Sequence, residues 1–176
     1  ELSLAIARAR HGATVVGIDV SEDLVAIARE RGVNHDNASF EVDDAASWSK
    51  EGFAPDLLVS RHGVMFFDDP VAAFSHLRGL AQPGAGLMFS CFREPRLNPW
   101  MGGLAALLPR DASAPPSDPH APGPFAFADD ARVAGILEAA GWRDVAFVAV
   151  DYPYIAGAGA DPAGDALQFF SRIGPA

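Results

Sequence analysis

Acidic residues follow two of the apolar runs that the sequence predicts to be β-strands. Asp19 comes directly after residues 14–18 (TVVGI), and Asp44-Ala45 come shortly after a run over residues 39–42. Ligands of parallel sheets bind beside the carboxyl ends of the strands, where a carboxylate can accept hydrogen bonds from ribose hydroxyls. A carboxylate after the second strand can accept from the exocyclic amine of an adenine. The alternatives are a turn or helix cap for Asp19 and an Asx-type turn at Asp44.

A third polar group, Ser60-Arg61-His62-Gly63, ends the strand predicted over residues 57–60. Loops that close buried strands often carry function. His62 is the candidate general base, because histidine titrates near neutral pH. The alternatives are a capping serine, a solvated arginine and a histidine held by packing. No histidine in the sequence stands at a metal-ligand spacing from a second ligand, so no metal is predicted.

Predicted strands alternate with predicted helices along the chain. The strands are expected at residues 14–18, 39–42, 57–60, 87–92 and 145–150. The helix after the first strand is expected to begin at Ser21 and to bury Leu24 and Ile27. The last helix is expected to start at Asp161-Pro162. This alternation predicts the α/β class, as a three-layer α/β/α sandwich with a largely parallel sheet.

The distribution of proline divides the chain into three parts. Eight of the fourteen prolines lie in residues 94–124, which predicts a long irregular insertion. Residues 1–93 then form the cofactor-binding part with its strand-end acids. Residues 125–176 form a C-terminal helix-strand-helix part.

The composition limits the classes of partner. The formal net charge is −10 at pH 7, which repels nucleic-acid phosphates and anionic membrane surfaces. The single cysteine excludes a disulfide within the chain and favours a reducing, cytoplasmic location, and no apolar run reaches membrane-spanning length. A nicotinamide-dependent short-chain dehydrogenase is excluded because its Tyr-x-x-x-Lys pair cannot form. Both tyrosines, Tyr152 and Tyr154, follow the only lysine, Lys50.

Three stretches together resemble a known family. They are VVGIDVSEDLVAIARERG, FEVDDAASW and DLLVSRHGVMFFDDPVAAFSHLRGLAQPGAGLMFSCF. The sequence is similar to class I S-adenosylmethionine-dependent methyltransferases, and within that class to bacterial enzymes of the ubiquinone/menaquinone-biosynthesis type. The resemblance covers residues 1–93 well and extends less specifically over residues 127–142.

The resemblance implies a cofactor, a reaction and a set of binding residues. The cofactor would be S-adenosylmethionine, and the reaction would be methyl transfer to a small-molecule acceptor. Ribose, adenine and the methionine part would be held by six residues: Asp19, Val20, Asp44, Ala45, Ser60 and Arg61. Asp19 would bind the ribose hydroxyls, and Asp44 with Ala45 would bind the adenine edge.

The insertion is where acceptor specificity is expected. Five apolar residues can form a lid over a small acceptor: Trp100, Met101, Leu104, Leu107 and Leu108. Met65, Phe66 and Phe67 can join them. The alternative is an ordinary hydrophobic cluster under a long loop.

The resemblance also implies that family elements lie outside residues 1–176. The glycine-rich loop is expected about 20 residues before the ribose-binding acid, which places it before Glu1, and the last strand would follow Ala176. The strand preceding the loop would lie between the strands that begin at Thr14 and Leu57, so its absence leaves two edges unpaired. We therefore expect residues 1–176 by themselves to be unstable and to bind cofactor weakly. The alternative function is a remnant of the fold that binds a nucleotide or a partner without catalysis.

Overall fold

Helices and strands mostly alternate, as predicted, in the part of the chain that the structure describes. The structure is a computed structural model and describes residues 1–99, 118–153 and 155–173. The elements are α1 (Leu2–Ala9), β1 (Val15–Asp19), α2 (Glu22–Gly32), β2 (Ala38–Val42), β3 (Leu57–Arg61), α3 (Pro70–Leu80), β4 (Gly86–Ser90), α4 (Asp130–Ala139) and α5 (Pro162–Ile173). Single 3-10 turns occur at Val64–Phe66 and Pro95–Leu97. Within these described ranges, no helix is both long and apolar enough to span a bilayer.

The four strands form two separate parallel pairs. β1 pairs with β2, and their carboxyl ends meet where Asp19 lies opposite Val42. β3 pairs with β4, and their ends meet where Arg61 lies opposite Ser90. Among the described residues no ladder joins β1 to β3. This break is what the sequence predicts for a sheet whose intervening strand is not part of residues 1–176.

Side-chain caps fix where the helices begin. Ser21 Oγ accepts a hydrogen bond from the backbone N–H of the third residue beyond it at the start of α2. Asp69 and Asp129 do the same for α3 and α4. Each cap satisfies an N–H group that has no partner within the helix. The predicted start of α2 at Ser21 is confirmed.

The prediction that α2 buries Leu24 and Ile27 is wrong. Leu24 and Ile27 are 57% and 44% exposed, whereas Val25 is buried. The helix packs on β2 through the face that carries Val25 and Gly32. A Cβ at Gly32 would lie 2.8 Å from the Phe40 ring. Because residue 32 is a glycine, the helix can approach β2 closely on this face, and this is the face that packs.

The main core lies between α3, α4 and the β3–β4 pair. Phe74 is completely buried, and Val133 and Met65 are nearly so. The Trp142 indole N–H donates to the Phe74 carbonyl at 3.0 Å. The ring of Phe127 packs 6.1 Å from that of Phe74. This core supports the segment that follows β3, where the candidate base lies.

The strand predicted over residues 145–150 is absent from the structure, which describes this whole segment as irregular. Val148 and Val150 are 84% and 68% exposed. A strand exists only where its N–H and C=O groups find a ladder partner, and no described segment pairs with this one. The chain forms two compact units, Glu1–Val145 and Ala146–Ala176. The second contains α5, whose predicted start is confirmed.

Gly141 ends α4 in a left-handed conformation. Its φ is +87°, and its N–H donates to the Glu138 carbonyl at 3.0 Å. The next N–H, that of Trp142, donates to the Leu137 carbonyl at 2.9 Å. These two bonds form a Schellman motif, which turns the buried Trp142 back toward the core.

Gly141→Ala is therefore expected to lower the free energy of unfolding by about 1–2 kcal/mol, because a side chain disfavours this backbone conformation. Gly135→Ala, inside α4, is the matched control and is expected to raise it by about 0.5–1 kcal/mol. A Cβ at either glycine meets nothing within 4 Å, so contacts do not bias the comparison. Denaturant unfolding measures both, and equal effects would contradict the conformational explanation.

Candidate functional site

The structure brings the acids after β1 and β2 to one edge of their sheet. The backbone N–H of Asp43 donates to the carbonyl of Asp19 at 3.1 Å, which extends the parallel ladder by one step. Asp44 follows directly. Both segments are therefore held beside each other by backbone bonds rather than by flexible side chains.

Asp19 is both a turn residue and a candidate ligand. Its Oδ1 accepts a hydrogen bond from the Ser21 N–H at 2.9 Å. Asp19 therefore also has the turn role that the sequence left as the alternative. Its Oδ2 accepts no hydrogen bond from any described residue, and the side chain is exposed. The neighbouring Val20 is 70% exposed. One carboxylate oxygen and one apolar side chain are thus available to a ligand at this strand end.

The turn after β2 presents two further groups. Asp44 Oδ1 accepts from the Ala46 N–H at 2.8 Å, which forms the Asx turn named as the alternative. Asp44 Oδ2 and the Ala45 N–H have no hydrogen-bond partner within the described ranges. Adjacent residues therefore offer one hydrogen-bond acceptor and one donor. The edge of an adenine requires this pair, because it carries an amine that donates and a ring nitrogen that accepts.

The ends of β3 and β4 form a second polar edge. The His62 N–H donates to the Ser90 carbonyl at 3.1 Å, and Ser60 Oγ accepts from the Gly63 N–H at 3.3 Å. Ser60 thus caps the turn, as one alternative proposed. Arg61 is exposed. The structure groups Asp19 with Asp44, and Ser60 with His62, but no described hydrogen bond connects the two groups.

His62 has an unusual backbone and an unsatisfied ring nitrogen. Its φ is +60°, a left-handed conformation that is uncommon for residues other than glycine. The ring stacks on Phe92 with centroids 4.4 Å apart and planes at 9°. The Nδ1 atom is buried, and no described residue forms a hydrogen bond with it. Burial lowers the pKa of His62, and the charge of Arg61 lowers it further, so the ring is neutral at pH 7 and can accept a proton.

Ser90 is a candidate that the sequence interpretation missed. Its Oγ is buried and has no hydrogen-bond partner in the described part of the chain. Ser90 ends β4 directly opposite Arg61. Buried polar groups without partners are rare, and each calls for an explanation such as an absent ligand. The strand predicted over residues 87–92 placed Ser90 inside the strand, whereas the structure ends β4 at Ser90. The rule that selected Ser60, a polar residue at a strand's carboxyl end, applies to Ser90 only with this corrected boundary.

The predicted lid is only partly described. Met65, expected to join it, is 1% exposed and packs in the main core, so that expectation is wrong. The turn at Val64–Phe66 directs Met65 into the main core, while Phe66 remains 54% exposed. Phe67 is half-buried against the same core. The other expected lid residues lie outside the described residues: Trp100, Met101, Leu104, Leu107 and Leu108.

A cleft of about 320 Å³ lies beside the described ends of the insertion. Its lining includes Glu94, His120, Phe125 and Asp129. None of the predicted cofactor-binding residues lines it. Among the described side chains, no group of three or more His, Cys, Asp or Glu is arranged to hold a metal ion.

Comparisons with known proteins found similarity to methyltransferases in the N-terminal part of the chain. Residues 1–84 match the model of a methyltransferase domain. The chain is 33% identical over 98 residues to the ubiquinone biosynthesis O-methyltransferase of Hahella chejuensis, covering 53% of this chain and 40% of that protein. It therefore spans well under half the length of this curated relative. Residues 1–84 thus resemble a methyltransferase domain, in agreement with the resemblance found in the sequence.

Two solved structures are similar to parts of the chain. The N-methyltransferase NodS from Bradyrhizobium japonicum, solved with S-adenosyl-L-homocysteine, is 21% identical with a TM-score of 0.42, over 49% of this chain and 45% of that one. A methyltransferase-like protein from Bacillus halodurans is 18% identical with a TM-score of 0.42, over 58% and 48%.

Proposed function

We propose that this protein transfers a methyl group from S-adenosylmethionine to a small-molecule acceptor. The observation that carries the proposal is the joined edge of β1 and β2. There the Asp43 N–H lies 3.1 Å from the Asp19 carbonyl, within a stretch that matches a methyltransferase domain. This contact sets a ribose-binding acid and an adenine-binding turn side by side.

The groups left without partners at this edge fit the nucleoside part of the cofactor. Asp19 Oδ2 would accept from the ribose hydroxyls, and the exposed Val20 would pack against the adenine ring. Asp44 Oδ2 would accept from the exocyclic amine, and the Ala45 N–H would donate to a ring nitrogen. Ser60 and Arg61 would line the methionine end.

S-adenosylmethionine, when bound, supplies a methyl group that its sulfonium already activates. The protein's residues must then align the acceptor and exclude water. Where the acceptor has to lose a proton, His62 would take it, because its ring is uncharged at neutral pH. The unpartnered Oγ of Ser90 would hydrogen-bond a polar group of the acceptor beside it.

We place the acceptor specificity in residues 94–124, the cofactor in residues 1–93, and a supporting role in residues 125–176. The net charge of −10 opposes nucleic acids and anionic membrane surfaces as partners. We propose a cytoplasmic location and a bacterial origin, since the single cysteine suits a reducing compartment and the similar proteins are bacterial.

Binding without catalysis is the second candidate. It is favoured by the edges of β1 and β3 that pair with no other strand among the described residues, since a domain with an interrupted sheet has less support for a catalytic geometry. Such a remnant would bind adenine nucleotides through the Asp19 edge with no need for the sulfonium end of the cofactor.

Calorimetric titration of the natural full-length protein with S-adenosylhomocysteine tests the proposal. We expect saturable binding, no comparable binding of ATP, and methyl transfer from labelled S-adenosylmethionine into a small-molecule pool. Equal affinity for ATP without methyl transfer would favour the non-catalytic candidate. Absence of S-adenosylhomocysteine binding would contradict both the cofactor and the reaction. Residues 1–176 by themselves are expected to bind weakly, and tight binding by this piece would refute that expectation.

A further inference from the structure

The turn that follows β2 is hydrogen-bonded to a buried tryptophan, Trp48. Trp48 is 6% exposed, and its backbone N–H donates to the Asp44 carbonyl at 2.8 Å. The Ser47 N–H donates to the same carbonyl at 3.0 Å. The position of Asp44 therefore depends directly on where Trp48 is held.

The indole of Trp48 is held by a charged partner on β2. Its Nε1–H donates to Glu41 Oε2 at 2.7 Å, while Lys50 Nζ donates to Glu41 Oε1 at 2.8 Å. The hydrogen bond from Lys50, followed by that from Trp48, lowers the pKa of Glu41, so the carboxylate stays ionised. A hydrogen bond to an ionised acceptor is short and strong. The Phe53 ring packs edge-on at 5.8 Å and further restricts the indole.

The same residue is tied to α3 on its other side. The His76 Nε2 lies 2.8 Å from the Trp48 carbonyl. A carbonyl oxygen only accepts, so this nitrogen carries the proton and donates. Trp48 thus connects the end of β2 to the helix that follows the Ser60–Gly63 segment.

We infer that Trp48 is a positioning residue for the cofactor: it sets the orientation of Asp44 and Ala45 without touching the ligand. The inference rests on the proposed function, since it assigns these two residues to the adenine edge. Its physical basis is that the Asp44 side chain accepts from its own turn at Ala46, so the carboxylate direction follows the turn. A turn released from the indole would spread over several orientations, and cofactor affinity would fall.

Trp48→Phe tests the inference, because it keeps an aromatic ring and removes the N–H. In the natural full-length protein we expect the dissociation constant of S-adenosylhomocysteine to rise about 5- to 20-fold, with kcat at saturating cofactor within about twofold. The matched control is Trp142→Phe. Trp142 is also a buried indole, 8% exposed, which donates to a backbone carbonyl at 3.0 Å, but it lies in the core away from the turn.

Both variants are expected to lower the melting temperature, but only Trp48→Phe should change cofactor affinity. Glu41→Gln, which keeps an acceptor for the indole and removes the charge, should weaken affinity less than Trp48→Phe. If Trp48→Phe fails to fold, Glu41→Gln is the test of the inference. Unchanged cofactor affinity in Glu41→Gln would then overturn the inference. Equal affinities of Trp48→Phe and Trp142→Phe would overturn the positioning role while leaving the proposed function intact. No binding by the unmodified protein would overturn the proposed function and the positioning role with it.

Discussion

Asp19→Ala is expected to weaken binding of S-adenosylhomocysteine by the full-length protein about 10- to 150-fold. The loss corresponds to about 1.5–3 kcal/mol, the usual contribution of hydrogen bonds to a charged group. The structure leaves Asp19 Oδ2 without a partner among the described residues, so a ribose would meet an acceptor that is already positioned. Isothermal titration calorimetry measures the change.

Two variants separate ligand binding from the turn that Asp19 also stabilises. Asp19→Asn keeps an oxygen to accept from the Ser21 N–H but removes the charge, so it should retain the fold and lose much of the affinity. Asp56→Ala is the matched control. Asp56 is an exposed carboxylate directly before β3, at the amino end of the strand, and its removal should leave affinity unchanged. Full affinity in both Asp19 variants would remove this residue from the site.

His62→Asn is expected to lower kcat about 100-fold, the lower range of a lost general base, with little change in cofactor affinity. Asparagine tolerates the left-handed backbone at φ +60°, so the variant should keep the loop. If the proposed methyl transfer uses His62 as its base, the unmodified protein should lose activity in acid as His62 becomes protonated. Burial and Arg61 lower its pKa, so this loss should begin below the ordinary histidine value. A pH–rate profile should show this acid limb in the unmodified enzyme and lack it in His62→Asn.

His11→Asn provides a control for histidine removal, because His11 is exposed after α1 and contacts none of the candidate residues. It should retain both the rate and the acid limb. If His62→Asn also retained them, the acceptor would need no base from this residue, and the packing alternative would account for the Phe92 stack. A matched loss in both variants would point to a general effect of histidine removal and would also contradict the assignment.

The sequence was sufficient for features that depend on a few neighbouring residues. Ser21 caps a helix because its oxygen reaches an N–H three residues away, and Gly141 ends one because glycine adopts the left-handed conformation without a steric cost. The carboxyl-end rule also selected Asp19 and Asp44, since the chain order of strands and acids can be read directly. The family resemblance over residues 1–84 follows from the same local patterns.

Features that depend on distant neighbours could not be predicted in this way. Leu24 has the hydrophobicity of a core residue and is nevertheless 57% exposed. The reason is that α2 packs on β2 through a different face, the one on which Gly32 approaches the Phe40 ring. Met65 was expected at a lid and lies in the core. The run over residues 145–150 has the composition of a strand but no described partner, and a strand cannot exist without one.

The sequence by itself determined most of the element order, the cap of α2 at Ser21 and the acids at the ends of β1 and β2. These follow from interactions across three or four residues and from strand direction. Only the tertiary structure brought Trp48 into hydrogen bonds with Asp44, Glu41 and His76. It alone also left His62 Nδ1 and Ser90 Oγ buried without a partner among the described residues. Burial and hydrogen-bond satisfaction depend on which distant segments meet, and the order of residues along the chain does not fix that by local rules.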